Sequence, residues 1–391
     1  MSEIKHDSST APRPNLLWLV LPIAILALAI AWLVIAEPLA AFRNGAPPVE
    51  ALTIERTILS ESGLAVQVRA GGSEPMTIAQ VQVDDAYWEF TQTPAGPIRR
   101  GATVWITLPF PWVLGEAHML VLVTSLGTLF EHEIAVAVPT PTLGTIPFLS
   151  QTMLGLFVGV LPVALGLMFF PVLRGVGANG MSFLLALTVG LLAFLMIESV
   201  IDSVELANES AALFQGPTMV VVASSTTFLL LMAISRRAGK PSGLALSSYI
   251  ALGIGLHNLG EGLAIGGAFA SGAADLGTFL VLGFALHNIT EGIGIAAPIL
   301  KHRVSLWAFA CLTLLAGAPA TIGLWIGSLA YAPQWSALAL AIGAGAILQV
   351  IVEIGSRLVG DEDETFYSPH IIAGLAFGVA IMFLTAMLVK I

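Results

Sequence analysis

Nine long apolar segments limit most strongly how this 391-residue chain can fold. A transmembrane helix needs about 20 consecutive apolar residues, because the hydrocarbon core of a bilayer is about 30 Å thick. The first segment, Leu16 to Ala36, carries no charge and is longer than the apolar part of a usual signal peptide, so we expect an uncleaved membrane anchor. The other eight lie near residues 148–173, 181–202, 217–235, 244–270, 275–300, 304–330, 335–357 and 370–389. The sequence therefore predicts an all-α polytopic membrane protein, with one N-terminal transmembrane helix followed by an eight-helix bundle at 147–391.

The composition supports this class and excludes others. Hydrophobic residues make up 57% of the chain and charged residues 10%, whereas about 25% charged residues are typical of a soluble domain. The net charge of −10 offers no basic surface, so no nucleic-acid partner is expected, and the lipid bilayer is the expected surrounding. The single cysteine, Cys311, lies in an apolar segment, which excludes an intrachain disulfide and a cysteine-based zinc site.

Residues 45–142 have a different character, with charged residues, several prolines and short alternating runs such as Leu64 to Arg69. Alternation with a period of two is typical of strands that have one buried face. We expect about seven strands, near residues 50–57, 63–70, 76–84, 87–92, 102–108, 118–125 and 128–138. This pattern predicts a small all-β domain, most simply a sandwich.

The placement of lysine and arginine predicts the orientation in the cell membrane, because cytoplasmic loops carry the excess of positive charge. In the eight-helix region the basic residues lie on alternate connections of one side, with only Lys390 at the opposite terminus; they are Arg174, Arg236, Arg237, Lys240, Lys301, Arg303 and Arg357. That side is predicted to be cytoplasmic. The polar tail 1–15, with Lys5 and Arg13, then lies inside, whereas the β domain and the C-terminus are extracytoplasmic.

Two nearly identical polar motifs interrupt consecutive apolar segments, HNLGEG at 257–262 and HNITEG at 287–292. In each motif a glutamate follows a histidine by four residues, which places both on one face of a helix. The histidines lie about half-way along their helices, near the bilayer midplane. Because consecutive helices are expected to run antiparallel, Glu261 should lie level with His287, and His257 level with Glu291. The two motifs are therefore predicted to form one compact cluster.

The residue types of this cluster are suited to a divalent metal. Imidazole nitrogen and carboxylate oxygen suit zinc, iron(II) or manganese, and the absence of thiolate argues against copper(I). Asn258 and Asn288 add neutral carbonyl oxygens one step round each helix. The simpler interpretation is that these groups only bond to each other and hold two helices together. Two matched copies at the same depth favour the metal site, since charged groups in a membrane are usually functional.

The same motifs resemble a known family. HNLGEGLAIGGAF (257–269) and HNITEGIGIAAP (287–298) are similar to the fourth and fifth transmembrane motifs of the ZIP divalent metal transporters. The likeness spans about 147–391, since QVIVE at 349–353 resembles the seventh helix of the family and GLAFGVAIM at 374–382 the eighth. The family does not supply the β domain in a fixed form.

The resemblance implies a metal centre and a transport function. Its ligands would be His257, Glu261, His287 and Glu291, with Asn258 and Asn288 completing or bridging it. The implied substrate is zinc, with iron(II), manganese and cadmium as other ions, moved toward the cytoplasm. Two positions depart from the family pattern: Thr290 replaces a usual proline, and Ala318 stands where the sixth helix often has a glutamate. The second departure removes a carboxylate of a second metal subsite, so a single site is expected.

Further acidic and polar residues are candidates for the metal's route. Glu198 and Asp202 share one helix face, and Glu205 and Glu209 continue from them toward the extracytoplasmic side, either as an attracting lead for cations or as ordinary solvated loop charges. Gln349 and Glu353 lie one turn apart in the seventh helix, where Glu353 is expected either to serve the pathway or to bond a neighbouring helix. The acidic run 361–364 is expected to be a solvated loop, with a cation sink as the alternative.

The role of the β domain is the least determined part of the sequence. Glu131, His132, Glu133 and His118 are metal-ligand types, but alternation points His132 away from both glutamates, so they are not expected to converge. Binding of an unidentified partner or support of a homodimer are the other interpretations.

Two alternatives to transport stay open. The first is an intramembrane zinc-dependent hydrolase, although neither His-Glu-x-x-His nor Gly-x-Ser-x-Gly is present. The second is a metal sensor that signals through the β domain. Transport, not enzymatic turnover, is the expected function.

Overall fold

A computed structural model describes residues 16–36, 38, 48–140, 145–237, 239–270, 274–329, 332–358 and 368–389. The predictions that concern the tail 1–15 with Lys5 and Arg13, the acidic run 361–364 and Lys390 lie outside these residues. The chain forms two compact units, Met1–Val49 and Glu50–Ile391.

The first unit contains helix α1, Leu16–Ile35, which includes Pro22. Its side chains from Val20 to Leu33 are exposed and apolar on every face. A helix that is apolar all round has the composition of a lipid-facing segment, which agrees with the expected anchor.

The second unit begins with two antiparallel four-stranded sheets. The strands are β1 (Leu52–Ser60), β2 (Gly63–Ala70), β3 (Ile78–Val83), β4 (Ala86–Trp88), β5 (Thr91–Thr93), β6 (Thr103–Leu108), β7 (His118–Thr124) and β8 (Leu129–Ile134). One sheet has the order β1-β2-β6-β5 and the other the order β4-β3-β7-β8. Alternate residues of both sheets, such as Val66, Ile106 and Leu122, share one buried core. The predicted sandwich is therefore confirmed.

The expected strand at 87–92 was wrong as a single element. Residues Ala86–Trp88 pair with β3, whereas Thr91–Thr93 pair with β6 in the other sheet, so the chain crosses between the sheets at residues 89–90. Trp88 and Phe90 both pack against the common core. The apolar alternation therefore continues through the crossing, and nothing in the sequence pattern marks it.

The rest of the second unit is helical. The helices are α2 (Thr145–Gly155), α3 (Leu161–Met168), α4 (Phe170–Leu173), α5 (Ala178–Glu209), α6 (Gly216–Ser235), α7 (Gly243–Ala270), α8 (Ala274–Ala296), α9 (Leu306–Leu329), α10 (Pro333–Leu358) and α11 (Pro369–Val389). A π-helical turn, Leu156–Val160, joins α2 to α3, and a 3-10 turn, Ala212–Phe214, precedes α6. The expected helix at 181–202 was too short, since α5 continues to Glu209.

Seven helical segments in the described part of the chain are long and apolar enough to cross a membrane, which indicates a multi-pass membrane protein. They are Phe148–Leu173, Ala178–Glu209, Ala212–Ser235, Leu280–Ile299, Leu306–Leu329, Pro333–Leu358 and Pro369–Met387. Helix α7 is outside this set because His257, Asn258 and Glu261 lower its hydropathy. Helix α1 contributes only the shorter apolar stretch Val20–Leu33.

Close backbone packing fixes the position of α7. A Cβ atom on Gly262 would overlap the carbonyl oxygen of Ala320 in α9, and one on Gly323 of α9 would overlap that of Leu259 in α7. Small residues let helix backbones approach closely in membrane proteins. The polar motif of α7 is therefore held on a rigid pair of helices.

Candidate metal centre

The two motifs meet in the interior of the bundle. The Oε1 atom of Glu261 lies 2.8 Å from Nε2 of His257 and 2.8 Å from Nε2 of His287. One ligand atom each from His257, His287 and Glu291 lie within 4.8 Å of one another. All four side chains are buried. The structure thus brings together the four residues that the helical spacing places on facing turns.

A serine of α5 fixes the orientation of one imidazole. The hydroxyl of Ser199 donates to the carbonyl oxygen of Leu195 at 2.7 Å and lies 3.2 Å from Nδ1 of His257. Because this hydroxyl already donates its proton, it must accept one from Nδ1. The Nε2 atom of His257 is therefore the nitrogen that faces the cluster and that can bind a metal.

Sequence reasoning missed Ser199. It is buried and follows Glu198, which was chosen for its charge. The only local signal was a hydroxyl near the middle of an apolar helix, and serines there often bond only to their own helix.

The two asparagines are oriented by backbone carbonyls. The Nδ2 atom of Asn258 donates to the carbonyl of Ala316 at 3.0 Å, and Nδ2 of Asn288 donates to that of Val158 at 2.9 Å. Val158 lies four residues before Pro162, which has no N–H to give it. Asn288 therefore donates a hydrogen bond to a carbonyl that has no helical N–H donor because of the proline. The Oδ1 atom of each asparagine has no hydrogen-bond partner in the described residues.

Unpartnered buried oxygens are concentrated in the two motifs. In the described residues, eleven buried side-chain nitrogen or oxygen atoms have no hydrogen-bond partner, and five of them belong here. These five are Oδ1 of Asn258, Oε2 of Glu261, Oδ1 of Asn288 and both Oε atoms of Glu291. Asn258 lies beside the Glu291 carboxylate. Buried polar atoms are normally paired. Five unpartnered oxygens in two adjacent motifs therefore suggest that a ligand completes the cluster.

A cavity of about 1210 Å³ leads from this cluster to the β sandwich. His257, Glu261 and His287 line its inner end. The acidic residues of α5 line it along one side, namely Glu198, Asp202, Glu205 and Glu209. Glu205 and Glu209 are therefore exposed residues of a helix at the cavity wall, so the expected loop position was wrong, whereas their role as solvated charges or as a lead for cations stays a prediction.

The other two candidate pathway residues lie elsewhere. Glu353 accepts hydrogen bonds from Oγ of Ser235 at 2.8 Å and from Nε of Arg236 at 3.0 Å. Gln349 is buried one turn away, and its Nε2 atom has no partner in the described residues. Neither lines the cavity that reaches the motifs. The contacts of Glu353 agree with the expected bond to a neighbouring helix, and a pathway role stays a prediction.

The histidines of the sandwich do not converge with its glutamates. His118 pairs with Asp84 at 2.8 Å, and His132 lies 3.1 Å from the hydroxyl of Thr57. Glu131 and Glu133 are exposed on the other face of β8. Burial lowers the pKa of His132, which favours its neutral form. In the described residues, the only group of histidines and acids close enough to hold a metal is the one inside the bundle.

Thr290 and Ala318, the two positions that depart from the expected motif pattern, have different surroundings. Thr290 donates its hydroxyl to the carbonyl of His287 at 2.6 Å and so stays occupied within its own helix. Ala318 lies in α9 immediately before Pro319 and contributes no ligand atom. Within the two motifs the carboxylates are those of Glu261 and Glu291, and α9 adds none at position 318.

No protein-family model and no curated protein matches this chain.

Proposed function

We propose that this chain is a membrane transporter of the ZIP type, which moves divalent metal cations into the cytoplasm. Zinc is the first expected substrate, and iron(II), manganese and cadmium are the others. The ion would be bound by His257, Glu261, His287 and Glu291, with Asn258 and Asn288 supplying carbonyl oxygens. The direction of transport and the family are carried over from the motif resemblance.

The unpartnered carboxylate of Glu291 carries this proposal. Its side chain is 5% exposed, and neither oxygen has a hydrogen-bond partner in the described residues. A buried polar group without a hydrogen-bond partner is unfavourable, and buried carboxylates are usually paired or bind metals. Two imidazoles and a second carboxylate lie within reach, which is a ligand set typical of zinc and related ions.

The cavity supports transport in preference to a purely structural metal. It joins the cluster to the sandwich along the acidic face of α5. Acidic walls raise the local concentration of cations and speed their association. With the orientation that the basic loops predict, this cavity opens to the extracytoplasmic side of the cell membrane, where the sandwich and the C-terminus would also lie.

The mechanism follows from the hydrogen bonds of the cluster. Oε1 of Glu261 lies 2.8 Å from Nε2 of each histidine, so any proton shared in these contacts must leave before the nitrogen can bind an ion. Binding of the substrate therefore releases protons and replaces the contacts among the ligands. A rearrangement of helices would then expose the site to the other side, as in other transporters with midplane sites. Because Ala318 offers no carboxylate, we propose one ion per site.

Uptake of radioactive zinc into proteoliposomes tests the transport proposal. Wild type is expected to accumulate zinc above protein-free vesicles, and the double variant Glu261→Ala, Glu291→Ala is expected to show only the background rate. Equal uptake by the two proteins would refute the assigned site. Competition by iron(II), manganese and cadmium in the same assay would rank the substrates, since ligand chemistry alone does not.

The other two functions predict different results in this assay. An intramembrane hydrolase would turn over a peptide or lipid substrate without metal flux. A sensor would bind zinc tightly with neither flux nor turnover, and changes in the sandwich would report the binding.

A further inference from the structure

Two edge strands of the sandwich form part of the cavity wall at the end remote from the metal cluster. β1 is the edge of one sheet and β8 the edge of the other. Arg56 and Thr57 of β1 and His132 and Glu133 of β8 line the cavity. The contact between Thr57 and His132 joins the two edges. Exposed strand edges are usually covered, and here they face the cavity.

A small set of contacts fixes the sandwich to the bundle, and we term it the docking node. It consists of Glu55, Arg69 and Gly101 on the sandwich and Leu213, Phe214 and Gln334 on the bundle. Nε2 of Gln334, in the first turn of α10, donates to Oε1 of Glu55 at 3.3 Å. The Arg69 guanidinium lies 5.3 Å from the centre of the Phe214 ring, and Gly101 lies against Leu213.

The sandwich side of the node is rigid. Glu55 is 4% exposed and lies at a β-bulge, where the pairing of β1 with β2 shifts between Ile54 and Arg56. A bulge changes the direction of a side chain relative to the regular strand. Arg69 binds Glu55 through two hydrogen bonds of 2.5 and 3.0 Å and also donates to the carbonyl of Gly101 at 2.7 Å. The sandwich thus presents a preformed carboxylate to Gln334.

The contacts across the node are weak by comparison. One is a long hydrogen bond, one a cation-π contact and one a van der Waals contact. Within the described residues, strands and helices make few direct contacts, whereas the two sheets share an extensive core. Contacts this few and weak are expected to open more readily than the core of the sandwich.

We infer that the sandwich is a movable cover over the cavity and that the docking node is the latch that keeps it closed. The inference rests on the proposed function in one respect, since it takes the cavity as the route of the cation. With the node intact, β1 and β8 form part of the cavity wall at the end remote from the metal cluster. When the node opens, this part of the wall moves away from the acidic face of α5.

Labelling of a cysteine in the cavity tests the cover directly. Leu206→Cys places a thiol in the cavity wall, and Cys311→Ser removes the natural one. The node is weakened from the bundle side by Phe214→Leu with Gln334→Leu, which leaves the Arg69–Glu55 pair and the sandwich core unchanged. The probe is a cationic, membrane-impermeant methanethiosulfonate, applied to the full chain in vesicles.

In the protein with the weakened node, the cysteine of Leu206→Cys is expected to react with the probe about 5- to 30-fold faster. This increase corresponds to the loss of one or two ordinary interactions. Leu126→Cys, in an exposed turn of the sandwich, is the reference and should label at the same rate in both backgrounds. Gln334→Leu alone should give an intermediate rate, and Arg100→Met, an exposed arginine outside the node, no change.

Equal labelling rates of Leu206→Cys with and without the node substitutions would refute the inference that the sandwich is a movable cover. Because labelling needs no metal flux, this result is distinguishable from failure of the transport proposal. Absence of zinc uptake by wild type would refute transport and leave the accessibility result standing.

Discussion

Two buried glutamates of the bundle differ in how their charge is compensated. Glu353 in α10 is 2% exposed and accepts hydrogen bonds from Ser235 and Arg236. Glu291 in α8 is 5% exposed, and both of its oxygens lack a partner in the described residues. A buried carboxylate needs compensation from hydrogen bonds, an opposite charge or a metal. Glu353 finds it within the chain, whereas we propose that Glu291 receives it from a bound metal ion.

The difference separates two roles that sequence alone treats alike. Both residues are carboxylates in apolar helices, and both are therefore functional candidates by default. The neighbours of Glu353 join α10 to the end of α6, and we propose that Glu291 contributes to a metal site. Four substitutions, given from the largest expected effect to the smallest, test this distinction.

The same substitution should lower zinc affinity strongly at Glu291 and leave it almost unchanged at Glu353. Glu291→Gln removes a charged ligand, so affinity should fall by more than the about 10- to 100-fold typical of losing an outer-shell partner. Glu353→Gln is the matched control and should leave affinity within about threefold of wild type, because Glu353 does not line the cavity. Zinc titration of the purified protein measures both. A similar loss in the two variants would remove the distinction.

Loss of the serine that orients His257 should weaken the site without removing a ligand. Ser199→Ala deletes the acceptor for Nδ1, so zinc affinity should fall by about 10- to 100-fold. Ser203→Ala is the control, since this buried serine on the same helix donates to the Ala337 carbonyl and does not contact the cluster. If both variants bind zinc equally well, Ser199 has no part in orienting the histidine.

The Glu353 cluster should matter for stability and not for binding. Arg236→Met leaves Glu353 bonded only to Ser235 and should lower the free energy of unfolding by about 1–2 kcal/mol. This figure is below that of a fully buried pair because Arg236 is 33% exposed. Thermal unfolding in detergent measures the change, and Arg237→Met, at an exposed neighbour, is the control. A large loss of zinc affinity in Arg236→Met, with unchanged stability, would contradict the structural role.

The smallest effect is expected at Thr290, one of the two positions that depart from the motifs that the sequence resembles. Thr290→Val keeps the branched shape and removes a hydroxyl that bonds only to the His287 carbonyl. Zinc affinity should change by less than about threefold, since a hydroxyl that bonds to a carbonyl of its own helix contributes little to the stability of that helix. A loss of zinc affinity as large as that expected for Glu291→Gln would indicate that Thr290 is a metal ligand.

The sequence predicted the cluster well because its information is local. A spacing of four residues places His257 and Glu261 on one helix face, and a short connection brings the next helix back beside it. The strand pattern of residues 64–70 was equally readable, since its inward residues alternate strictly. The partners of the motifs depend on which distant helices pack together, and the sequence pattern does not contain this information. Ser199 and Ser235 are examples.

The sequence indicated other features only in part. Pro162 predicts that the carbonyl of Val158 needs a donor, but only the fold identifies Asn288 as that donor. The charges at Glu205 and Glu209 suggested the end of a helix, yet α5 continues because these side chains face a cavity and not lipid. The crossing between sheets at residues 89–90 was hidden because Trp88 and Phe90 pack into the same core on both sides of it.

We propose that the two His-x-x-x-Glu motifs bind one divalent metal ion. X-ray absorption at the zinc edge, combined with metal analysis of the purified protein, tests it most directly. We predict one bound zinc per chain, with only nitrogen and oxygen neighbours at about 2.0–2.2 Å, and loss of this zinc in Glu291→Gln but not in Glu353→Gln. Zinc absent from wild type at saturating concentration, or an unchanged spectrum in Glu291→Gln, would contradict the account.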